Sequence, residues 1–225
     1  MSDNERNETQ LLLAILGIES LVDEITHKVT SDPSTQQQDT PTATAVLGPF
    51  WRKNAPLRQM GDTIVSGFKN SGDHTLFHGR VLDAATGSPI ANAELDVWET
   101  APNGLYEQQD LRQPDMNLRG RFVTAADGRY SFYGLRPTKY PITDDVRPVG
   151  QVLKLLDRHP FRPAHLHAII IAEGHRELVT QIFDRGSQYI NNDVAFAVKE
   201  GLVVDFVPRA GDTKASFELE YDFRL

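Results

Sequence analysis

The chain contains no cysteine, so it can form neither a disulfide bond nor a thiolate metal site. Any metal ion must therefore be bound by His, Tyr, Asp or Glu side chains. Basic residues are also few, since 23 Lys and Arg stand against 31 Asp and Glu and the formal net charge is -8. Because no Lys/Arg-rich run is present either, this balance argues against a general nucleic-acid-binding protein.

The sequence also lacks an uninterrupted apolar run long enough to span a bilayer. Residues 1–8 are polar and acidic, unlike the basic stretch and apolar core of a secretion signal. We therefore expect no membrane partner and, by default, a cytoplasmic location. The 225 residues, 40% hydrophobic and 24% charged, are typical of a globular protein with one large or two small domains.

One stretch near the N-terminus has helical periodicity. Apolar residues recur there at alternating spacings of four and three, at Leu11, Ile15, Ile18, Val22 and Ile25. This pattern predicts an amphipathic helix over residues 9–28, which Gly17 weakens by about 1 kcal/mol relative to alanine. The polar residues 29–45 are typical of a linker. We predict a helical N-terminal segment and linker over 1–45 and a β-sandwich domain over 46–225.

From residue 75 onward the hydrophobic period changes to two, which indicates strands. The predicted strands are 75–83, 91–99, 120–124, 129–135, 165–172, 178–183, 202–207 and 216–223, with a short helix at 149–157. Turn signals separate them, including the hairpin signal Asp127-Gly128. Many short strands with turns between them predict a mainly β fold with an antiparallel β-sandwich core.

The most informative motif is Arg-Pro-Ala-His-Leu-His at 162–167. On a strand, side chains alternate between faces, so His165 and His167 point the same way and Leu166 points the other way. The apolar residues 168–172 continue the strand. Two same-facing histidines form half of a metal site. From these residues alone, a hydrogen-bonded pair of strand histidines is the simpler alternative.

Two loop tyrosines are candidates for the other half of such a site. Tyr106 follows a predicted strand, and Tyr140 lies between prolines in a later loop. A phenol has a pKa near ~10 and must lose its proton to bind, which requires a strongly acidic metal such as Fe(III). Two alternatives stay open here. The tyrosines can be ordinary packing residues, or a carboxylate placed by the fold can complete a His-His-carboxylate site.

Five segments together resemble the intradiol ring-cleavage dioxygenases, non-haem iron enzymes that open catechols between the two hydroxyl-bearing carbons. These segments are LGIESLVD at 16–23, VLGPF at 46–50, DVW with NGLY between 96 and 106, RPAHLH at 162–167, and VTQIF at 179–183. The resemblance covers most of the chain, from about residue 11 to residue 207, and the 162–167 segment is its most specific part.

The resemblance implies a non-haem Fe(III) cofactor and the residues that hold it. The implied ligands are Tyr106, Tyr140, His165 and His167, with Tyr140 and His167 axial. Arg162 and Tyr140 would act in catalysis, Tyr140 by accepting a substrate proton and Arg162 by stabilising negative charge. The implied substrate-binding residues are Asp23, Leu47, Gly48, Pro49, Gln181, Val194 and Ala195. The domain at 46–225 would then be catalytic.

The implied substrates are O2 and an aromatic diol or triol. Segments 140–150 and 202–207 look most like the hydroxyquinol branch, which opens 1,2,4-trihydroxybenzene to maleylacetate, and catechol or chlorocatechol is the alternative. The family also implies a homodimer. Its N-terminal dimerisation region is usually longer than the stretch before Val46, so the dimer and any lipid cavity within it stay open.

A non-catalytic alternative comes from two other segments. Residues 79–90 and 127–132 also resemble transthyretin-like or adhesin β-sandwich modules. Such a binding module gives no reason for two tyrosines and two histidines at the implied ligand positions.

Overall fold

The computed structural model describes residues 7–27, 40–67, 71–142 and 147–225. In these ranges it has helices α1 (Glu8–Ile15), α2 (Ile18–Thr26) and α3 (Pro148–Leu155). The strands are β1 (His74–Leu82), β2 (Glu94–Trp98), β3 (Arg119–Val123), β4 (Arg129–Leu135), β5 (Tyr140–Pro141), β6 (Phe161–Arg162), β7 (His165–Ile171), β8 (Leu178–Asp184), β9 (Val203–Val204), β10 (Val207–Pro208), β11 (Phe217–Glu220) and β12 (Phe223–Arg224). No helix in this described part has both the length and the apolar character needed to cross a bilayer.

The predicted single helix over 9–28 is two helices. Gly17 takes a left-handed conformation, with φ 72°, and this residue separates α1 from α2. Helix α1 buries Leu11 and Ile15, and each such side chain contributes roughly 1.5–3 kcal/mol when removed from water. Helix α2 has no buried residue. Of the predicted linker, residues 29–39 lie outside the described residues.

The strands form two five-stranded sheets and a two-stranded ribbon. One sheet has the order β10-β11-β1-β12 with β4 also paired to β1, and the other has the order β3-β2-β7-β8-β9. The ribbon joins β5 to β6. The predicted mainly β sandwich is confirmed, but its sheets are mixed, because β11 and β12 run parallel to β1 and β9 runs parallel to β8.

Two predicted strands are shorter than expected. Residues 202–207 begin in a 3-10 turn (Glu200–Leu202) and contain only the edge pieces β9 and β10. The 216–223 strand divides into β11 and β12. At this break Asp222 accepts a hydrogen bond from the Arg80 backbone N–H at 2.8 Å, so a side chain replaces a backbone partner in the ladder.

The sheet that contains β7 has a different environment on each face. Leu166, Ala168 and Ile170 point into the main core, together with Phe77 and Phe132 of the opposite sheet. The other face of β7 carries His165, His167 and Ile169. Ile169 belongs to a second buried cluster, the site-side cluster, which is formed by Leu11, Ile15, Trp98, Tyr106, Tyr140, Ile142, Val149, Leu153, Ile169 and Val194. Helices α1 and α3 therefore cover this face of the sheet.

A buried carboxyl follows β2 directly. Glu99 is 1% exposed, and one of its oxygens accepts the Leu135 backbone N–H at 3.0 Å. Its other oxygen has no hydrogen-bond partner. Burial raises the pKa of Glu99 from 4.5 to about 8, so the folded protein holds this proton more tightly than the unfolded chain does.

We expect Glu99→Gln to stabilise the protein increasingly as the pH rises. Because the folded pKa is the higher one, ionisation of wild-type Glu99 favours unfolding from above about pH 4.5, and this effect is complete above about pH 8. The glutamine variant should match wild type near pH 5 and exceed it by roughly 2–4 kcal/mol near pH 9. Urea unfolding across this range measures the difference, with the exposed Glu24→Gln as control. Parallel pH profiles for wild type and Glu99→Gln would contradict the expectation.

Candidate active site

Strand β7 brings the two motif histidines together. His165 and His167 are each 2% exposed, and their Nε2 atoms lie 3.1 Å apart. The side-chain alternation that sends Leu166 into the main core places both imidazoles on the site-side face. The indole ring of Trp98, opposite His167 in the β2–β7 register, stacks on the His167 imidazole at a centroid distance of 4.6 Å.

Both imidazoles are neutral. The Nδ1 atom of His165 lies 2.7 Å from the Pro163 carbonyl oxygen. A carbonyl only accepts, so Nδ1 carries the proton and Nε2 keeps its lone pair. Burial, and then the charge of Arg162, lowers the pKa of His165 to about 3. Burial, and then His165, lowers the pKa of His167 well below its usual value. A neutral imidazole is the form that binds a metal ion.

The two predicted tyrosines join the histidines. Tyr106 lies in the loop after β2, and Tyr140 begins β5, where it pairs with Arg162 of β6. The Tyr106 and Tyr140 rings meet edge to face at 5.5 Å between centroids. Tyr140 lies 5.6 Å from the His165 ring, and Tyr106 lies 6.3 Å from the His167 ring. We call these four side chains the four-ring cluster.

The loop that carries Tyr106 is held by a buried ion pair. Its next residue, Glu107, accepts a hydrogen bond from Arg119 Nε at 2.8 Å, and both side chains are almost inaccessible. The Tyr106 ring stacks on Phe50 at 4.5 Å, and the Arg119 guanidinium carbon lies 5.8 Å from its centre. These contacts hold the Tyr106 phenol in place, although it lies in the loop between β2 and β3 and not on a strand.

The four-ring cluster fits a metal ion better than it fits plain packing. The Tyr106 hydroxyl is buried without a hydrogen-bond partner, which costs about 1–3 kcal/mol, and the Nε2 atoms of the two histidines converge at 3.1 Å. No group of three or more His, Cys, Asp or Glu side chains in the described ranges could hold a metal. Two phenol oxygens and two imidazole nitrogens meet here instead, and phenolate oxygens with imidazole nitrogens are a donor set that suits Fe(III).

The same burial sets the protonation of Tyr106. Burial, and then the nearby Tyr140 phenol, raises the pKa of Tyr106 well above its usual value. The free phenol is therefore neutral, and a bound cation must displace its proton.

Arg162 lies beside the four-ring cluster with all its nitrogens engaged. Its Nε and Nη2 donate to the carboxylate of Asp193 at 3.1 and 3.0 Å, Nη2 also donates to Gln181 at 2.8 Å, and Nη1 lies 3.2 Å from His165 Nε2. Burial alone would lower the pKa of Arg162, but Asp193 and the phenols raise it above its usual value. Arg162 is therefore a fixed buried positive charge.

Gln181 and Gly48 connect the 46–50 turn to the cluster. Gln181 lies opposite His167 in the β7–β8 register, and its amide donates to the Val46 carbonyl. Gly48 has φ +74°, and a Cβ atom there would lie 3.4 Å from Cε1 of His167. The turn therefore presents bare backbone to the His167 ring.

The remaining predicted pocket residues lie in two places. Val194 and Ala195 belong to the 193–197 loop, and Leu47 and Pro49 belong to the 46–50 turn. Val194 is buried in the site-side cluster, and the Ala195 carbonyl accepts a hydrogen bond from Ser20 of α2 at 2.8 Å. Pro49 is half-buried in its turn. Leu47, 38% exposed, lines a groove between the 45–47 segment and α2.

Asp23 lines the same groove, but its carboxylate has other partners. It accepts hydrogen bonds from Lys199 Nζ at 2.7 Å and from the Thr44 hydroxyl at 3.0 Å, and its other oxygen pairs with His27 at 2.9 Å. In the structure this carboxylate attaches α2 to the sandwich. Its predicted contact with substrate stays a prediction.

Sequence reasoning missed several residues around the cluster. Trp98 and Phe50 stack on cluster rings, although the cross-strand position of Trp98 could be found only after the β2–β7 register was known. Helical spacing predicts that Leu11 faces inward, but no sequence pattern shows that it packs in the site-side cluster. No sequence pattern predicts a role for Asp193 in the site, because a single acidic residue in a loop is usually solvated.

Comparisons with known proteins show which family this chain is similar to. A family model described as Dioxygenase matches residues 46–225. A hydroxyquinol 1,2-dioxygenase from a Rhizobium species is 46% identical over 217 residues, which are 96% of this chain and 69% of that protein. A catechol 1,2-dioxygenase from Candida albicans is 39% identical over 231 residues, covering 100% of this chain and 73% of that protein. The solved structure of a hydroxyquinol 1,2-dioxygenase from Pseudomonas putida has a TM-score of 0.87 and 38% identity, covering 100% of this chain and 77% of the other.

We expect Gly48→Ala to disturb the His167 ring as well as the backbone. Alanine at a positive φ costs about 1 kcal/mol. The added methyl group would lie in van der Waals contact with the imidazole, 3.4 Å from Cε1, so a shift of the strained backbone would move it against the ring. Gly61→Ala is a matched control, because Gly61 has φ +79° and open space around its Cβ position. Both variants should lose similar stability in thermal unfolding, while only Gly48→Ala should lower the Fe(III) content per chain after reconstitution. Equal iron content in the two variants would show that Gly48 does not shape the site.

Proposed function

The chain belongs to the intradiol ring-cleavage dioxygenases, and we propose that it opens a catechol-type ring with O2 through Fe(III) held by Tyr106, Tyr140, His165 and His167. The observation that supports this most is the four-ring cluster itself. Two neutral imidazoles and a phenol without a hydrogen-bond partner meet there in a buried site. The family membership argues against the non-catalytic β-sandwich module considered above.

The residues of the chain have distinct roles in the proposed reaction. Bound Fe(III) would supply a Lewis acid that withdraws electron density from an aromatic diolate. Tyr140, as phenolate, would accept a proton from a substrate hydroxyl. Arg162 would stabilise negative charge on the ring, because a fixed guanidinium acts strongly in a site with little water. Gln181 would support the Arg162 guanidinium from the β8 side.

Water exclusion would come from the apolar cover of the site. Leu11 and Ile15 of α1 and Val194 of the 193–197 loop pack with the ligand tyrosines in one cluster. A dry site strengthens the attraction between Arg162 and a negatively charged ring. It would also keep bulk water away from reactive species, which is a general function of closed active sites.

For the substrate we propose hydroxyquinol, which would be opened to maleylacetate. This follows the names of the Rhizobium relative and the Pseudomonas putida structure. Catechol or chlorocatechol is the alternative, and the Candida albicans relative supports it. The pocket residues Val194 and Ala195 are small and apolar, so the wall they form offers no side-chain charge that would choose between these rings.

Further expectations remain predictions. A homodimer is supported by the apolar side chains that α2 exposes, among them Leu21 at 55% and Ile25 at 69%, because such a face is expected to be covered. The domain division at residue 46 and the cytoplasmic location likewise stay predictions.

Oxygen uptake by the iron-loaded protein tests the substrate directly. We expect the highest kcat/KM with hydroxyquinol, a lower value with catechol, and the lowest with chlorocatechols. The ring-opened product is followed by its ultraviolet spectrum. A higher kcat/KM with catechol would make catechol the substrate in place of hydroxyquinol. No oxygen uptake with hydroxyquinol, catechol or chlorocatechols would contradict the proposed activity.

The ligand set is tested by Tyr140→Phe. Removing the phenolate should change the visible tyrosinate-to-Fe(III) absorption and lower kcat by about 100-fold, since the proposed proton acceptor is lost. Tyr133→Phe is the control, because the Tyr133 hydroxyl bonds Asp212 in a different part of the molecule. An unchanged spectrum and rate in Tyr140→Phe would remove Tyr140 from the ligand set.

A further inference from the structure

We propose that Asp193 is a positioning residue for the reaction: its buried carboxylate fixes the Arg162 guanidinium and the 193–197 loop in one arrangement. A single side chain then sets both the orientation of the Arg162 guanidinium beside the substrate ring and the shape of the pocket wall. This inference rests on the proposed function, in which Arg162 faces the substrate.

The carboxylate of Asp193 accepts four hydrogen bonds. Two come from the Nε and Nη2 atoms of Arg162, at 3.1 and 3.0 Å. The other two come from the backbone N–H groups of Ala195 at 3.1 Å and Ala197 at 3.0 Å. Asp193 and Arg162 are 6% and 3% exposed, so water competes little for these bonds, and charge-assisted bonds of this kind are strong.

The geometry of arginine explains how this contact can orient a charge. The guanidinium group is a rigid plane, so holding Nε and Nη2 on one edge fixes the direction of Nη1 on the other edge. In this structure Nη1 points to the four-ring cluster, 3.2 Å from His165 Nε2. Gln181 contacts Nη2 through one oxygen, which supports the plane but cannot by itself set its rotation.

The same carboxylate shapes the pocket wall. Its bond to the Ala195 N–H fixes the residue whose carbonyl receives Ser20 of α2. Val194, between Asp193 and Ala195, packs in the site-side cluster with both tyrosines. A shift of Asp193 would therefore move the catalytic charge and the apolar wall together.

A simpler role for Asp193 is charge neutralisation, since a buried arginine without a partner is strongly destabilising. Asp184 provides a matched control for this role. It is also buried, and it accepts Arg136 Nε at 2.7 Å and the Gly186 N–H at 2.8 Å. If a carboxylate is purely structural, its asparagine variant should have a lower melting temperature, and the protein that remains folded should keep the wild-type kinetics.

The test compares iron-loaded Asp193→Asn, Asp184→Asn and wild type below their melting temperatures. We expect both variants to melt earlier and both to keep the tyrosinate-to-Fe(III) band, because no ligand is changed. Only Asp193→Asn should lower kcat, by about 10- to 100-fold, with a smaller change in KM. Wild-type kcat and KM in Asp193→Asn would overturn the proposal.

A double-mutant cycle with Arg162→Lys asks whether Asp193 acts through Arg162. Lysine keeps a positive charge but has no fork to be oriented. Asp193→Asn should then lower kcat by less than about threefold in the Arg162→Lys background. Equal fold losses in the two backgrounds would show that Asp193 does not act through Arg162.

Two further measurements keep the test decisive. Asp193→Glu retains the charge if the asparagine variant fails to fold, and it moves the carboxylate by about 1.5 Å, so kcat should still fall while stability is largely kept. A crystal structure of either variant should show a rotated Arg162 plane, and an unmoved plane overturns the proposal without reference to activity. Lack of activity in wild type would instead count against the proposed function.

Discussion

The organisation of the molecule depends on the alternation of side chains along β7. Leu166, Ala168 and Ile170 lie in the core of the sandwich. His167 and Ile169, between them, lie on the opposite face, where Ile169 belongs to the site-side cluster. A shift of one residue in register would place the two imidazoles in the apolar core and the aliphatic residues on the site-side face. The hydrophobic effect that stabilises the sandwich therefore also places both histidines on the site-side face, where the Pro163 carbonyl and the Trp98 ring fix the imidazoles.

Electrostatics explains why the site can be buried before any cofactor binds. The imidazoles are neutral because burial lowers their pKa values, and Tyr106 is neutral because burial raises its own. The buried cations of the site are each balanced by a carboxylate, Arg162 by Asp193 and Arg119 by Glu107. A charged ligand set in the absence of metal would be costly in such an environment. Under the proposed function, proton loss from the phenols accompanies metal binding.

The sequence predicted those parts of the site that local periodicity or a family motif carries. Strand alternation placed His165 and His167 on one face, and the spacing of apolar residues marked Leu11 as inward-facing. The family motif identified Tyr106, which lies on an irregular loop, and Tyr140, which begins the two-residue strand β5. The approach of Tyr140 to β7 depends on the non-local β5–β6 pairing. Helix propensity predicts only a weakening at Gly17, whereas its left-handed conformation, which propensity does not show, separates α1 from α2.

The partners of the two aspartates show why polar contacts were the hardest part to predict. Asp23 attaches α2 through Lys199 and Thr44, and Asp193 lies behind Arg162, yet each is a single acid in an unremarkable sequence. Helix α1 is held by buried apolar residues, whereas α2 has none and depends on such polar bonds. The 193–197 loop receives Ser20 of α2 on one side and Arg162 on the other. The 193–197 loop therefore connects α2, which has no buried residue, to the fixed positive charge of Arg162.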